Sequence, residues 1–325
     1  MSAGPLCSLG QTARTMMTEG FARATLSELI DYAGLFPPAQ LALERAYEEY
    51  RRLRDSRHAW MVGRFIVPFS RLEALLEIHG ESPRFAVSVI FDGGRDSVRW
   101  LNELSDRLAA LAGHLRERSP IEISAIEIPL PSLKAARESY GAALSQVGAL
   151  LEHTGLRSIP CYVEFPRDAR WSAEMPDAIA SLARTRLRSK IRCGGPTADA
   201  FPSAAELAAH LQTCVEHGVA WKATAGLHHP VARRDSATDF EMHGFVNLLV
   251  ASCIALDRAP FEEIEAVLAE RALGAFAVGE SGLSWRGREC SVRAMERTRR
   301  TGLISYGSCS VDEPVEDLMA MGWLE

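Results

Sequence analysis

Two lysines stand where lysine is costly. Lys190 lies in Ser189-Lys190-Ile191-Arg192-Cys193-Gly194-Gly195 and Lys222 in Ala220-Trp221-Lys222-Ala223-Thr224-Ala225-Gly226. Both runs read as short strands, and desolvating an ammonium in a buried strand is unfavourable. Two such lysines on neighbouring strands point to an amine that gives up its proton. A neutral amine can attack a carbonyl carbon and form a Schiff base. The plainer account is that one or both are snorkelled or ion-paired structural residues.

The elements that must position these lysines repeat one unit: a short apolar run, a turn, then an amphipathic helix. Strands are expected at residues 30–35, 60–67, 85–91, 121–128, 159–165, 187–193, 219–225 and 302–306. Helices are expected at 38–54, 70–79, up to 118, at 132–153, 203–217, 239–256 and 260–270, with a short one at the end. Thr25-Leu26-Ser27-Glu28 reads as a capping box opening a leading helix. Strands alternating with helices predict an α/β fold, a (β/α)8 TIM barrel. A doubly wound open sheet is the weaker alternative, because no Gly-x-Gly-x-x-Gly turn follows the first strand. Residues 1–24 are expected as an N-terminal tail and 25–325 as one barrel domain. An insertion at about 230–300, with an extra strand at 275–278, separates strands seven and eight. Active sites of this fold form at the C-terminal ends of strands, so the insertion reads as a lid, a specificity element or an oligomer contact.

Bulk properties narrow the partners. A chain of 325 residues, 47% of them hydrophobic, can bury a large core. Its net charge of −6, with no basic stretch interleaved with aromatics, argues against nucleic acid. Seven scattered cysteines without a Cys-x-x-Cys pair argue against a zinc ribbon or a disulfide scaffold and fit a reducing cytoplasm. Residues 1–18 lack an apolar signal core, and no apolar run approaches the ~18 residues of a membrane span. The expected partner is a small-molecule carbonyl or carboxylate substrate, with no membrane and no nucleic acid; a homo-oligomer is also expected.

Strand parity gathers the chemistry, because alternate side chains share a face. Arg64 comes from strand two, Ser88 and Asp92 from strand three, Glu127 from strand four, and Tyr162 with Glu164 from strand five. Strand six gives Lys190 with Arg192, and strand seven gives Lys222 with Thr224. So many ionisable groups exceed what a barrel core normally tolerates. Burial and the like charges of Arg192 and Lys222 would disfavour the charged form of Lys190 and make it nucleophilic. Glu127, Glu164 or Asp31 could carry protons during carbinolamine dehydration and C–C cleavage.

These segments resemble deoxyribose-phosphate aldolase and its relatives, Schiff-base (class I) aldolases on a (β/α)8 barrel. Leu29-Ile30-Asp31-Tyr32 is similar to the family's first-strand Leu-Ile-Asp-His. Lys190 with Gly194 resembles its sixth-strand Lys-Thr-Ser-Thr-Gly, and Lys222-Ala223-Thr224-Ala225-Gly226-Leu227 its seventh-strand Lys-Ala-Ser-Gly-Gly-Ile. Tyr162-Val163-Glu164 resembles the fifth-strand Ile-Leu-Glu, and Gly307-Ser308-Cys309-Ser310 the eighth-strand Gly-Thr-Ser-Ser. The resemblance implies that Lys190 forms the Schiff base, that Lys222 tunes it, and that Gly307, Ser308 and Ser310 bind an anion. The family's fourth-strand aspartate aligns with Ala125, and Glu127 stands two residues on, on the same face.

His228, His229 and His243 follow strand seven. They could bind an anionic substrate, move protons or hold zinc. Asp92, Glu127 and Glu164, at the ends of three consecutive strands, could instead hold magnesium in a metal-dependent lyase or isomerase that abstracts a proton next to a carboxylate. The reading is therefore a small-molecule lyase without a cofactor, a class I aldolase type. Catalytic residues are Lys190, Lys222, Asp31, Glu127 and Glu164; binding residues are Arg64, Arg192, Thr224, His228, His229, His243, Gly307, Ser308 and Ser310. The alternatives are the magnesium or zinc barrel and a non-catalytic barrel that binds a small molecule.

Overall fold

Apolar runs too short to make helices pair laterally, and eight of them close on themselves. The computed structural model describes residues 16–80, 82–91, 99–116, 121–132, 139–167, 171–236 and 238–325. In chain order the first elements are α1 (Glu19–Leu26), β1 (Ile30–Tyr32), α2 (Leu43–Arg54), β2 (Val62–Pro68), α3 (Leu72–His79), β3 (Ala86–Ile90), α4 (Trp100–Arg116) and β4 (Glu122–Pro129). There follow α5 (Tyr140–His153), β5 (Cys161–Glu164), α6 (Trp171–Thr185), β6 (Arg188–Arg192), α7 (Ala204–His217) and β7 (Trp221–Thr224). The insertion holds β8 (Arg233–Arg234), β9 (Glu241–Met242), α8 (Phe245–Leu256), α9 (Phe261–Ala269), β10 (Phe276–Gly279), β11 (Gly282–Trp285) and β12 (Arg288–Ser291). Last come α10 (Val292–Thr301), β13 (Leu303–Ser308) and α11 (Asp312–Ala320).

Strands β1 to β7 and β13 form a closed barrel in sequence order, with β13 pairing both β7 and β1. Every pairing in it is parallel. With helices around it, this is the (β/α)8 barrel that the sequence pattern predicts. Outward residues meet the helices: Tyr32 and Phe65 pack on Tyr50 of α2, and Tyr306 stacks on Phe245 of α8. Inward residues alternate with these and carry the polar groups.

The insertion does not stand apart from the barrel wall. Helix α8 packs against α7, α9 and α10 and so serves as the helix after β7. Its residues Phe245 to Ala255 are all buried, which is why the segment is apolar all round. Its one fully buried amide, Asn247, donates to the carbonyls of Val267 (2.7 Å) and Glu270 (2.8 Å) and accepts from the Ala232 N–H (2.9 Å). The expected single strand near 275–278 is an antiparallel meander, β10–β11–β12. Its second turn uses Arg286 and Gly287, both at positive φ (46° and 84°), the twist a tight hairpin requires.

Several boundaries differ from expectation. The leading helix ends at Leu26 rather than starting beside Thr25: Thr18 caps α1, accepting from the Phe21 N–H at 3.3 Å. Glu28, at φ 48°, cannot be a helical residue. Helix α2 starts at Leu43, because Gln40 at φ 44° closes a turn on Phe36. Helix α8 starts at Phe245 and not near 239, because Asp239 takes φ 62° and Glu241–Met242 pair with β8. Helix α6, which carries Pro176 in its interior, has no counterpart in the sequence reading.

Candidate functional site

Glu127 is the centre of the barrel interior. It sits on β4 with its side chain fully buried, one oxygen toward each lysine. Lys222 Nζ lies 2.6 Å from Glu127 Oε1, and Lys190 Nζ lies 2.7 Å from Glu127 Oε2. The register makes this bridge: Lys190 is directly opposite Lys222 across β6 and β7, and Glu164 opposite Lys190 across β5 and β6. Ser88 of β3 donates to Glu127 Oε1 at 2.6 Å.

The two lysines are held differently. Lys222 donates hydrogen bonds to Asp31 Oδ2 (2.7 Å) and Glu127 Oε1 (2.6 Å), with its ammonium 5.6 Å from the Tyr162 ring centroid. Burial alone would lower its pKa, but Asp31 and Glu127 outweigh burial and raise it well above the ordinary lysine value. Lys190 lies within 2.9 Å of both Glu127 Oε2 and Glu164 Oε2. Lys190 thus also sits between two carboxylates, and where Lys222 has Asp31 as its second partner, Lys190 has Glu164.

The carboxylates are ionised for the same reason. Burial would raise Asp31, but Lys222 and Arg64 hold it below its usual value. Burial would likewise raise Glu127, and Lys190 and Lys222 bring it far down. Glu164 is lowered by Lys190 and Arg192 against the same penalty.

Asp31 is fixed by its surroundings. Its Oδ1 accepts from the Arg64 backbone N–H at 2.9 Å and lies 3.4 Å from the Arg64 guanidinium, while Ser305 donates to Oδ2 at 2.7 Å. Gly63 makes the approach possible, because a Cβ there would come within 2.6 Å of Asp31 Oδ1. Arg64 is also tied to Ser124 Oγ at 3.0 Å. Arg64 is thus part of the buried frame beneath the lysines.

At the mouth, Arg192 Nε contacts Glu164 Oε1 at 2.8 Å, and the Arg192 side chain is 43% exposed. Thr224 pairs in register with both Arg192 and Gly307. Gly307 faces inward between Thr224 and Ile66, where a Cβ would stand 3.0 Å from Thr224 Oγ1. Ser308 Oγ accepts from the Ser310 N–H and Ser310 Oγ from the Glu313 N–H, so both hydroxyls shape the turn into α11.

The histidines do not assemble. The chain leaves β7 through Ala225 and Gly226, both at positive φ (62° and 71°), and this turn brings His228 and His229 to α11. His228 Nδ1 lies 2.8 Å from Glu313 Oε2, and His229 Nδ1 2.6 Å from Asp317 Oδ2. His243 is buried elsewhere, its ring 2.7 Å from the Pro202 carbonyl, and burial lowers its pKa. Among the described residues no group of three or more His, Cys, Asp or Glu side chains could hold a metal ion. Asp92 lies outside the described residues.

The structure thus joins Asp31, Glu127, Glu164, Lys190 and Lys222 in one network, with Arg64 below and Arg192, Thr224 and Gly307 above. Ser305 was missed, although it stands two residues before Gly307 on the same strand face. Glu313 and Asp317 were missed because nothing local to α11 announces a histidine partner 85 and 88 residues away. No helix among the described residues is long and apolar enough to cross a membrane. No protein-family model matches the chain, and no curated protein matches its sequence.

Proposed function

We propose that the protein is a small-molecule lyase of the class I aldolase type, making or breaking a C–C bond through a Schiff base on Lys190. The observation that carries this reading is a pair of buried lysines that share one carboxylate, Glu127, with a second carboxylate, Glu164, beside Lys190. Lys222 is hydrogen-bonded on two sides and stays cationic. Lys190 is the amine nearer the partly exposed Arg192, through Glu164, whose Oε2 lies 2.9 Å from its Nζ.

The chemistry follows from those contacts. Glu164 takes a proton from the Lys190 ammonium, and the freed amine attacks the substrate carbonyl carbon. The carbonyl oxygen takes a proton from the attacking nitrogen, and the resulting carbinolamine loses its hydroxyl as water with the proton held by Glu164. The resulting iminium accepts the electron pair of the breaking C–C bond as Glu164, ionised again, takes the proton of the substrate hydroxyl that becomes a carbonyl, and Glu127 and the Lys222 ammonium balance the charge beside it. Arg192 is suited to an anionic substituent, with Thr224 and the Gly307 turn on the same side.

An enamine intermediate exchanges the α-protons of its carbonyl partner with solvent. Acetaldehyde, acetone, pyruvate and hydroxyacetone in D2O, followed by proton NMR with EDTA present, test the proposal. Wild-type protein is expected to catalyse exchange on at least one of them, and Lys190→Ala to fall to the uncatalysed rate. Exchange that is lost in EDTA and restored by magnesium would favour the metal-dependent reading instead. Absence of exchange on all four would remove the support for an enamine.

A further inference from the structure

A second group of reactive side chains stands beside the lysine site and takes no part in the chemistry above. Among the described cysteines only Cys309 is not buried. It follows β13, and its Sγ lies 3.9 Å from His228 Nε2. The other nitrogen of that ring, Nδ1, is 2.8 Å from Glu313 Oε2 in the first turn of α11. Thiol, imidazole and carboxylate therefore lie in line, each supplied by a different segment. The left-handed turn at Ala225 and Gly226 carries the imidazole to the thiol. The Ser310 hydroxyl accepts from the Glu313 backbone N–H at 3.2 Å and fixes the start of the helix that carries the carboxylate.

The remaining neighbours are consistent with a working thiol. The Tyr32 hydroxyl is buried without a hydrogen-bond partner. Arg52 of α2 is paired with Glu49 and Asp312. His228 itself is pushed up to about 9, first by its contact with Cys309 and then, against burial, by Glu313. By contrast, burial pushes the Cys193 thiol up to about 12 and raises those of Cys161 and Cys214 as well.

The geometry points to Cys309 as a separate modification site: a nucleophilic thiol, activated by His228 and oriented by Glu313, that reacts with peroxides and with soft carbon electrophiles. His228 Nε2 takes the thiol proton, and the sulfur attacks a peroxide oxygen. An S–O bond forms as the O–O bond breaks. The departing oxygen takes the proton from His228 and leaves as water or an alcohol. Sulfur is oxidised by two electrons to the sulfenic acid and the peroxide is reduced.

Iodoacetamide at pH 7, with each cysteine peptide of the full-length protein followed by mass spectrometry, tests the site. Cys309 is expected to be alkylated first, at least about tenfold faster than the same cysteine in His228→Gln, with Glu313→Gln between them. A synthetic peptide of residues 305–313 supplies a reference that does not depend on any variant folding, and Cys309 in the protein should outpace it by a similar factor. After hydrogen peroxide, dimedone should label Cys309. A Cys309 rate in the protein within about threefold of the peptide's, or below it, would overturn the assignment, as would equal rates in wild type and a folded His228→Gln.

Discussion

Glu127 is the residue on which the interior depends. It is fully buried between two ammonium groups, and each of its oxygens compensates one of them. Removing one partner of a buried ion network leaves uncompensated charge, which costs about 3–5 kcal/mol. Glu127→Ala is expected to lose that much unfolding free energy in urea denaturation, while an exposed pair such as Arg45–Glu48 should contribute little when removed. The pH dependence has a definite sign. Asp31, Glu127 and Glu164 are depressed in the folded protein, so their stabilisation is present above the unfolded carboxylate value of about 4 and is lost as pH falls through the lower native values. Lys222 is raised, so its stabilisation is present below the unfolded lysine value of about 10.4 and is lost as pH rises through the native value. Unfolding free energies measured from pH 2 to 9 should fall on the acid side. In Glu127→Gln the acid slope should be shallower by up to about 1.4 kcal/mol per pH unit, the contribution of one proton.

At the scale of elements, strand parity was legible and element boundaries were not. Parity put Glu127, Glu164, Lys190 and Lys222 on inward faces because period-two alternation survives in strands as short as four residues. The pairing of Lys222 with Asp31 could not be read locally, since the two are 191 residues apart and meet only when β13 closes the barrel between β7 and β1. Helix α1 was misplaced because Thr25 and Glu28 have the spacing of a capping box, while the true cap, Thr18, lies a helix-length earlier. The insertion was read as a lid, a specificity element or an oligomer contact because it follows strand seven; its helix α8 is a wall helix. Asn247 is what joins it to the chain on either side, through Ala232, Val267 and Glu270. Asn247→Leu keeps the volume but leaves the Ala232 N–H and the Glu270 carbonyl unpaired and takes one of two donors from the Val267 carbonyl. It should lower unfolding free energy by about 3 kcal/mol in denaturant titration, more than any single exposed polar substitution on α9.

At the scale of the molecule, a buried arginine holds one end of the barrel together and the lysine network lies toward the other. Arg299 of α10 lies where the chain enters β1 and β13. It donates to the carbonyls of Thr25, Ser27, Leu303 and Ile304, and burial brings its pKa down to about 10. Arg299→Met would leave those carbonyls without the guanidinium and loosen the junction where the barrel closes. A loss of about 3 kcal/mol in unfolding free energy is expected, with hydrogen exchange rising first in β1 and β13. The lysine network lies away from this junction, and the proposed Schiff base can be trapped. Sodium borohydride added to the protein with each of the four carbonyl compounds should reduce any iminium to a stable secondary amine, located by peptide mass spectrometry. The expected adduct is on Lys190, absent in Lys190→Ala and undiminished by EDTA. An adduct on Lys222 alone, or no adduct with a compound that the protein demonstrably turns over, would contradict the account.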